Sequence, residues 1–135
     1  MVEFKAWLKF AYDDLLNCKA ILHNDILTNI VAFHSQQAIE KSLKALLLYH
    51  EHDVPRIHSL NKLFKMNSNY IKINNPIMIV DLLDKLYIES RYPSSFGLLP
   101  YGKPTLEDAK EFYNFALEVF NKVCDMLEIN KEEFS

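Results

Sequence analysis

The feature that most constrains the fold is a stretch of strong helix formers at residues 33–50, which reads FHSQQAIEKSLKALLLYH. It contains no glycine or proline, and leucine, alanine, lysine, glutamine and glutamate dominate it. Large apolar side chains recur three and four residues apart, at Ile39, Leu43, Leu46 and Leu47. This spacing predicts an amphipathic helix whose apolar face must be covered by other helices. We therefore expect a central helix around which the rest of the chain packs.

Two further stripes accompany the apolar face of this helix. Small residues form a strip beside it, at Ala38, Ser42 and Ala45, where a neighbouring backbone can approach closely. A polar edge follows, made of Gln36, Gln37, Glu40, Lys41 and Lys44. Glu40 precedes Lys44 by one turn, the favourable order for a helical ion pair worth about 0.2–0.5 kcal/mol. The plainer interpretation of this edge is a solvated face.

The same three-and-four spacing predicts four more helices. The predicted ranges are 3–23, 58–66, 76–91 and 105–127, and the central helix is expected to extend over 30–52. Asn75 before Pro76 is a typical helix start, whereas the short third helix is expected either to be capped by Ser59 or to have no cap. Thr105 and Asp108 have the spacing of a capping box. The predicted fold class is all-α, an antiparallel up-and-down bundle of about five helices formed by residues 1–135 as one domain.

Composition narrows the classes of function. The chain has 135 residues, 50% of them hydrophobic, and a formal net charge of −3, which argues against a protein that coats nucleic acid by bulk charge. Gly97 and Gly102 are its only glycines and share one loop, so a Gly-rich phosphate cradle is excluded and no cofactor is predicted. No signal-peptide pattern or apolar run of membrane-spanning length occurs, so we expect a cytoplasmic protein without membrane association.

Other groups that could carry chemistry fit ordinary structural roles. His50, Glu51, His52 and Asp53 are clustered, but they lack the one-turn separation of an HExxH zinc motif, so no metal site is predicted. Cys18 and Cys124 fall on predicted apolar stripes, where a free cysteine acts as a small hydrophobe. Asp13 and Asp14 are adjacent, so their side chains point about 100° apart on a helix, and both are expected to be solvated.

Three short strings together carry a family resemblance. QQAIEKSLKALL at residues 36–47 resembles the signature helix of HEPN domains, small all-helical modules with a suspected link to nucleotide binding. HSL at residues 58–60 and RYP at residues 91–93 follow in the expected order. The pattern WLxxAxxDL at residues 7–15 extends the resemblance over nearly the whole chain.

The resemblance implies a candidate ligand site. Its residues would be Arg91, Tyr92, His58, Lys41, Lys44, Gln37 and Glu40. Arg91 offers a planar fork for a phosphate, although pairing with an acidic residue such as Glu40 or Glu89 is an equal alternative. In ribonuclease members of the superfamily a histidine follows this arginine after four to six residues. That window ends here in Phe96, Gly97 and Leu98, so we predict no catalytic residue.

The resemblance also implies the partners. Similar proteins are encoded beside minimal nucleotidyltransferases in toxin–antitoxin-like pairs, which favours a non-catalytic, nucleotide-associated module that works with such an enzyme. Nucleotide or RNA phosphate is the candidate ligand. A homodimer is expected, because the loop at residues 94–104 has more apolar side chains, at Phe96, Leu98, Leu99 and Tyr101, than a monomer of this size would leave exposed. The alternatives are a metal-independent endoribonuclease with an atypical base and a purely structural dimer.

Overall fold

The computed structural model describes residues 3–73, 77–90 and 102–135, without the side chains of residues 89 and 90. The described part is built from five α-helices and a C-terminal 3₁₀ turn. They are α1 (Glu3–Ile21), α2 (Thr28–Tyr49), α3 (Leu60–Met66), α4 (Ile77–Ser90), α5 (Leu106–Met126) and the turn Lys131–Phe134. This confirms the predicted all-α class. Within these ranges, no helix is long and apolar enough to cross a membrane.

The central position of α2 is confirmed. It packs against α1, α3, α4 and α5. The predicted apolar stripe and the strip of small residues are both buried, at Ile39, Leu43, Leu46, Leu47, Ala38, Ser42 and Ala45. Fourteen of its residues are buried, on more than one face of the helix. A helix enclosed in this way must bury polar side chains as well as apolar ones.

The ends of α2 differ from their predicted positions. The helix starts earlier than residue 30, at Thr28, whose buried hydroxyl donates to the carbonyl oxygen of Pro104 at 2.6 Å. It ends at Tyr49 rather than near residue 52, because Glu51 adopts a left-handed backbone with φ 66°. The amide of Glu51 donates to Leu48 O at 3.0 Å, and the next amide donates to Leu47 O at 3.0 Å. This pair of bonds is a Schellman motif.

The end of α5 repeats this geometry. Glu128 has φ 55°, and its amide donates to Asp125 O at 3.2 Å. The following amide, of Ile129, donates to Cys124 O at 2.9 Å. The chain then enters the 3₁₀ turn, which the sequence did not predict, and the Phe134 ring lies 5.9 Å from that of Tyr12 on α1.

Two of the predicted helix caps are present. The Ser59 hydroxyl accepts from the amide of Lys62, so α3 begins at Leu60 rather than at residue 58. Thr105 and Asp108 form the reciprocal capping box at the start of α5. The predicted start at Asn75 and Pro76 lies outside the described residues.

Both cysteines are free and buried, in agreement with their predicted positions on apolar stripes. Burial raises the pKa of the Cys18 thiol from 9.0 to about 11. It raises the pKa of the Cys124 thiol from 9.0 to about 12. Neither thiol is activated as a nucleophile, since the thiolate is the reactive form.

Candidate functional site

A buried ion pair lies at the centre of the site, on α2. Lys44 Nζ lies 2.9 Å from Glu40 Oε2, and each side chain is 5% exposed. The ammonium group also sits 5.6 Å from the centre of the Trp7 ring on α1, within cation–π distance. The interpretation of this edge as a solvated face is therefore wrong for Glu40 and Lys44. In this buried position Glu40 and Lys44 must neutralise each other, because either charge left unpaired would strongly destabilise the fold.

His58 also binds the Glu40 carboxylate, and its Nδ1 lies 3.3 Å from Oε2, the oxygen that contacts Lys44. The same Nδ1 lies 3.1 Å from Glu40 Oε1, and the His58 side chain is 50% exposed. An ionised carboxylate can only accept, so Nδ1 carries the hydrogen and donates it. In neutral His58 the basic nitrogen is then Nε2. The ring centre lies 5.1 Å from that of Tyr87 on α4.

Two glutamines complete the cluster. Gln36 is fully buried and donates from Nε2 to the carbonyl oxygen of His58 at 2.9 Å and to Glu40 Oε1 at 3.2 Å. Gln37 donates from Nε2 to Gln36 Oε1 at 2.7 Å. Gln36 therefore fixes the backbone segment that carries His58 against α2. The interpretation of the polar edge as a solvated face is therefore also wrong for Gln36. The sequence analysis did not identify Gln36 as a site residue.

An open groove of about 270 Å³ runs beside His58, lined by His58, Ser59, Asp84, Tyr87 and Ile88. Asp84 of α4 accepts from the amide of Leu60 at 2.6 Å and from the Ser59 hydroxyl at 3.2 Å. It thereby holds the start of α3 beside the groove. Sequence reasoning missed Asp84, because nothing local to α4 indicates a partner more than 20 residues away.

A second carboxylate cluster joins α1 to α2. Asp14 Oδ2 lies 2.7 Å from Lys41 Nζ, and Asp14 Oδ1 lies 2.8 Å from His34 Nδ1. The Asp14 side chain is 9% exposed, so the prediction that it is solvated is wrong. Asp13, whose side chain is 46% exposed, pairs instead with Lys9 one turn away. The predicted divergence of the two neighbouring aspartates is confirmed.

The structure thus places the predicted site residues in different clusters rather than in one site. It brings together Glu40, Lys44 and His58, with Gln37 one hydrogen bond further out. Lys41 belongs to the Asp14 cluster instead. Arg91 and Tyr92 lie outside the described residues, as does the apolar loop segment with Phe96, Leu98, Leu99 and Tyr101.

The histidines at the end of α2 contact an aromatic side chain. The His50 ring stacks on Tyr70 at 3.7 Å between centres, and His52 Nε2 lies 2.7 Å from the Tyr70 hydroxyl. Across residues 3–73, 77–90 and 102–135, no group of three or more potential metal ligands occurs. These two histidines therefore act in packing α2 against the segment that follows α3.

The bundle and its signature helix define a protein class. The HEPN domain family matches residues 4–129, and the chain belongs to this family. It is 31% identical over 134 residues to a Methanocaldococcus jannaschii protein named "Putative toxin MJ1304", with 91% of this chain and 87% of that protein covered.

Two solved structures share the fold. The crystal structure of TT1696 from Thermus thermophilus has a TM-score of 0.75 and 26% identity, and the match covers 93% of this chain and 99% of that one. The structure of ST0689, an archaeal HEPN homologue, has a TM-score of 0.63 and 29% identity, with 98% of both chains covered.

Proposed function

We propose that this chain is a non-catalytic HEPN module that works as the partner of a minimal nucleotidyltransferase in a toxin–antitoxin-like pair. The similarity to a protein named as a toxin supports membership of such a pair. The nucleotidyltransferase partner is what the resemblance of residues 36–47, 58–60 and 91–93 to this type of HEPN protein implies.

The observation that carries the non-catalytic role is the neutralisation of both candidate lysines. Lys44 lies against Glu40 at 2.9 Å and Lys41 against Asp14 at 2.7 Å, and both carboxylates are largely buried. A lysine held in this way gives little net attraction to a phosphate, because its charge is balanced at contact distance. The groove beside His58 also carries Asp84, whose charge opposes an anionic ligand. Phosphate binding would then depend on Arg91 and on Tyr92, the next residue in the sequence.

The partner role is tested by co-expression with the product of the neighbouring reading frame. We expect that product to be a minimal nucleotidyltransferase that co-purifies with the chain in a defined ratio on size exclusion. A neighbour of another class, or a nucleotidyltransferase that elutes separately at micromolar concentration, would contradict the proposal.

One observation favours a second candidate function, a metal-independent endoribonuclease. Glu40 fixes the Nδ1 hydrogen of His58 and leaves Nε2 as the basic nitrogen of a half-exposed imidazole. A carboxylate-oriented histidine of this kind is suited to general-base catalysis, which contributes about 10²–10⁴-fold to a rate. Arg91 would have to stabilise the charge on the phosphate.

RNA cleavage distinguishes the two functions. A mixed-sequence RNA is incubated with chelator and with the wild type, His58→Ala, Arg91→Ala and the control His52→Ala, an exposed histidine that contacts Tyr70. We expect no cleavage above background in any sample. Wild-type cleavage that disappears in His58→Ala and Arg91→Ala but persists in His52→Ala would establish the endoribonuclease.

A further inference from the structure

A second pocket, of about 290 Å³, lies where α1, α5 and the C-terminal 3₁₀ turn meet. The described residues that line it are separate from the groove beside His58 and from both carboxylate clusters. The turn is fixed in place at this position. Glu133 Oε2 lies 3.6 Å from Lys5 Nζ, and the Phe134 ring centre lies 5.9 Å from that of Tyr12. Three elements that are distant in the sequence therefore build one concave site.

Aromatic and aliphatic side chains form the wall of this pocket. Tyr12 and Leu117 are half-buried, and the buried Leu15 and Phe120 complete the wall. Leu16 also lines the pocket and is 46% exposed, so apolar surface is available to a ligand. A cavity of roughly 150 Å³ in an engineered protein holds one benzene molecule. This pocket therefore has room for an aromatic ring and a short chain attached to it.

Two hydrogen-bond donors without a protein partner line the same pocket. Within the described part of the chain, the Lys19 ammonium forms no ion pair, and neither it nor the Tyr113 hydroxyl forms a hydrogen bond. Tyr113 packs against the small buried cluster that contains Cys18, the residue before Lys19. Burial raises the pKa of the Tyr113 phenol, so the hydroxyl keeps its hydrogen at neutral pH and donates it. A negatively charged acceptor would satisfy both donors.

The charges around the pocket favour a ligand with a single negative charge. Lys19 and Lys131 are positive and Glu132 is negative, which leaves a net charge of +1. Lys131 Nζ is already bound to Asn121 Oδ1 at 3.2 Å. A dianion such as phosphate would be repelled by Glu132 without a second free cation to balance it, whereas a carboxylate carries only one charge.

We propose that this pocket binds a small aromatic carboxylate. The ring of the ligand packs against Tyr12 and Leu117, where aromatic contacts are favourable. The carboxylate accepts hydrogen bonds from Lys19 Nζ and from the Tyr113 hydroxyl, and the bond from the ammonium is charge-assisted. The inference does not involve the nucleotidyltransferase or His58, so its failure would leave the proposed function standing.

The experiment titrates 3-phenylpropanoate into the full chain and follows the amide chemical shifts by two-dimensional NMR. We expect shifts in residues 12–19, 113–120 and 131–135 that saturate below about 10 mM, since a ligand of this size binds an open pocket weakly. 3-Phenylpropanamide has the same ring without the charge, and acetate has the charge without the ring. Each should bind at least about tenfold more weakly than 3-phenylpropanoate.

Two variants test the donors. Lys19→Met removes the ammonium and should raise the dissociation constant for 3-phenylpropanoate at least about fivefold, and it should abolish the preference for the acid over the amide. Tyr113→Phe removes only the hydroxyl and should raise the constant about two- to fivefold. Lys110→Met is the matched control, because Lys110 is an exposed lysine of α5 that does not line the pocket. Circular dichroism checks that each variant is folded.

Four outcomes would overturn the inference. Shifts that do not saturate would remove the binding site. An amide or an acetate that binds as well as the acid would show that the charge or the ring is not recognised. Equal losses for Lys110→Met and Lys19→Met would show a nonspecific attraction to lysines. Shifts centred on His58 would place the ligand in the other groove.

Discussion

The two carboxylate clusters that involve α2 have similar charged groups and differ in their enclosure. Each joins one carboxylate to one lysine and one histidine. Glu40 and Lys44 lie on the same helix and are both 5% exposed. Asp14 and Lys41 come from different helices, and the lysine is 22% exposed. We therefore expect the energetic weight of an ion pair to depend on its enclosure rather than on its residue types.

The physical difference is the access of water to the cation. When its carboxylate is removed, Lys41 can recover part of its hydration at the surface of α2. Lys44 has no such route, because it lies between Glu40 and the Trp7 ring. An uncompensated charge in a buried position costs several kcal/mol, whereas one near water costs much less. The Glu40 cluster should therefore be the more sensitive of the two.

The largest effect is expected for Glu40→Gln, which removes the charge and keeps the shape. It leaves the Lys44 ammonium buried without a counter-charge and should lower the free energy of unfolding by about 3–5 kcal/mol. Urea denaturation measures this change. The double variant Glu40→Gln/Lys44→Met removes both charges and should recover much of the loss. A loss below about 1 kcal/mol for the single variant would show that Lys44 reaches water.

Asp14→Asn should have a smaller effect, about 1–3 kcal/mol, because it weakens two charge-assisted hydrogen bonds whose donors stay partly hydrated. The neighbouring Asp13→Asn is the matched control. Its half-exposed pair with Lys9 predicts a change of at most about 1 kcal/mol in the same urea measurement. Equal losses at the two aspartates would contradict the assignment of Asp14 to a buried cluster.

The smallest effect is expected for His58→Ala. The imidazole is 50% exposed, and Lys44 still neutralises Glu40 when it is removed. The free energy of unfolding should fall by only about 0–1 kcal/mol. Thermal denaturation near neutral pH provides the check. A loss comparable to that of Glu40→Gln would mean that the histidine is a structural partner of the carboxylate rather than a group available to a ligand.

The sequence predicts the apolar side of α2 well and its polar side poorly. Ile39 and Leu43 are recognisable because helical periodicity is a local signal. Glu40 and Lys44 carry an equally clear local signal, the i,i+4 spacing, but that spacing is the same for an exposed pair and for a buried one. Whether the Glu40–Lys44 pair is exposed or buried depends on its contact with Trp7, and that contact depends on how α1 packs against α2.

The candidate site shows the same limit. Family resemblance singled out His58 and Glu40, and the structure places them in contact. It also grouped Lys41 with them, although Lys41 contacts Asp14 through a different side of the helix. Gln36 and Asp84 were not identified, since their roles arise from hydrogen bonds to segments far away along the chain. Ser59 and Thr105 were identified because helix caps are local.

The left-handed residues that follow α2 and α5 are positions where a single substitution could stabilise the chain. Glycine is the residue usually found at this position of a Schellman motif, since it has no Cβ to strain, but here the position is held by Glu51 and Glu128. A left-handed backbone costs a non-glycine residue about 1–2 kcal/mol. Replacement by glycine removes this cost, but part of the gain is lost because glycine has more conformational freedom in the unfolded chain. Every glutamate codon becomes a glycine codon by one nucleotide change. Two modestly stabilising substitutions therefore lie a single mutational step away, at corners that take no part in either carboxylate cluster.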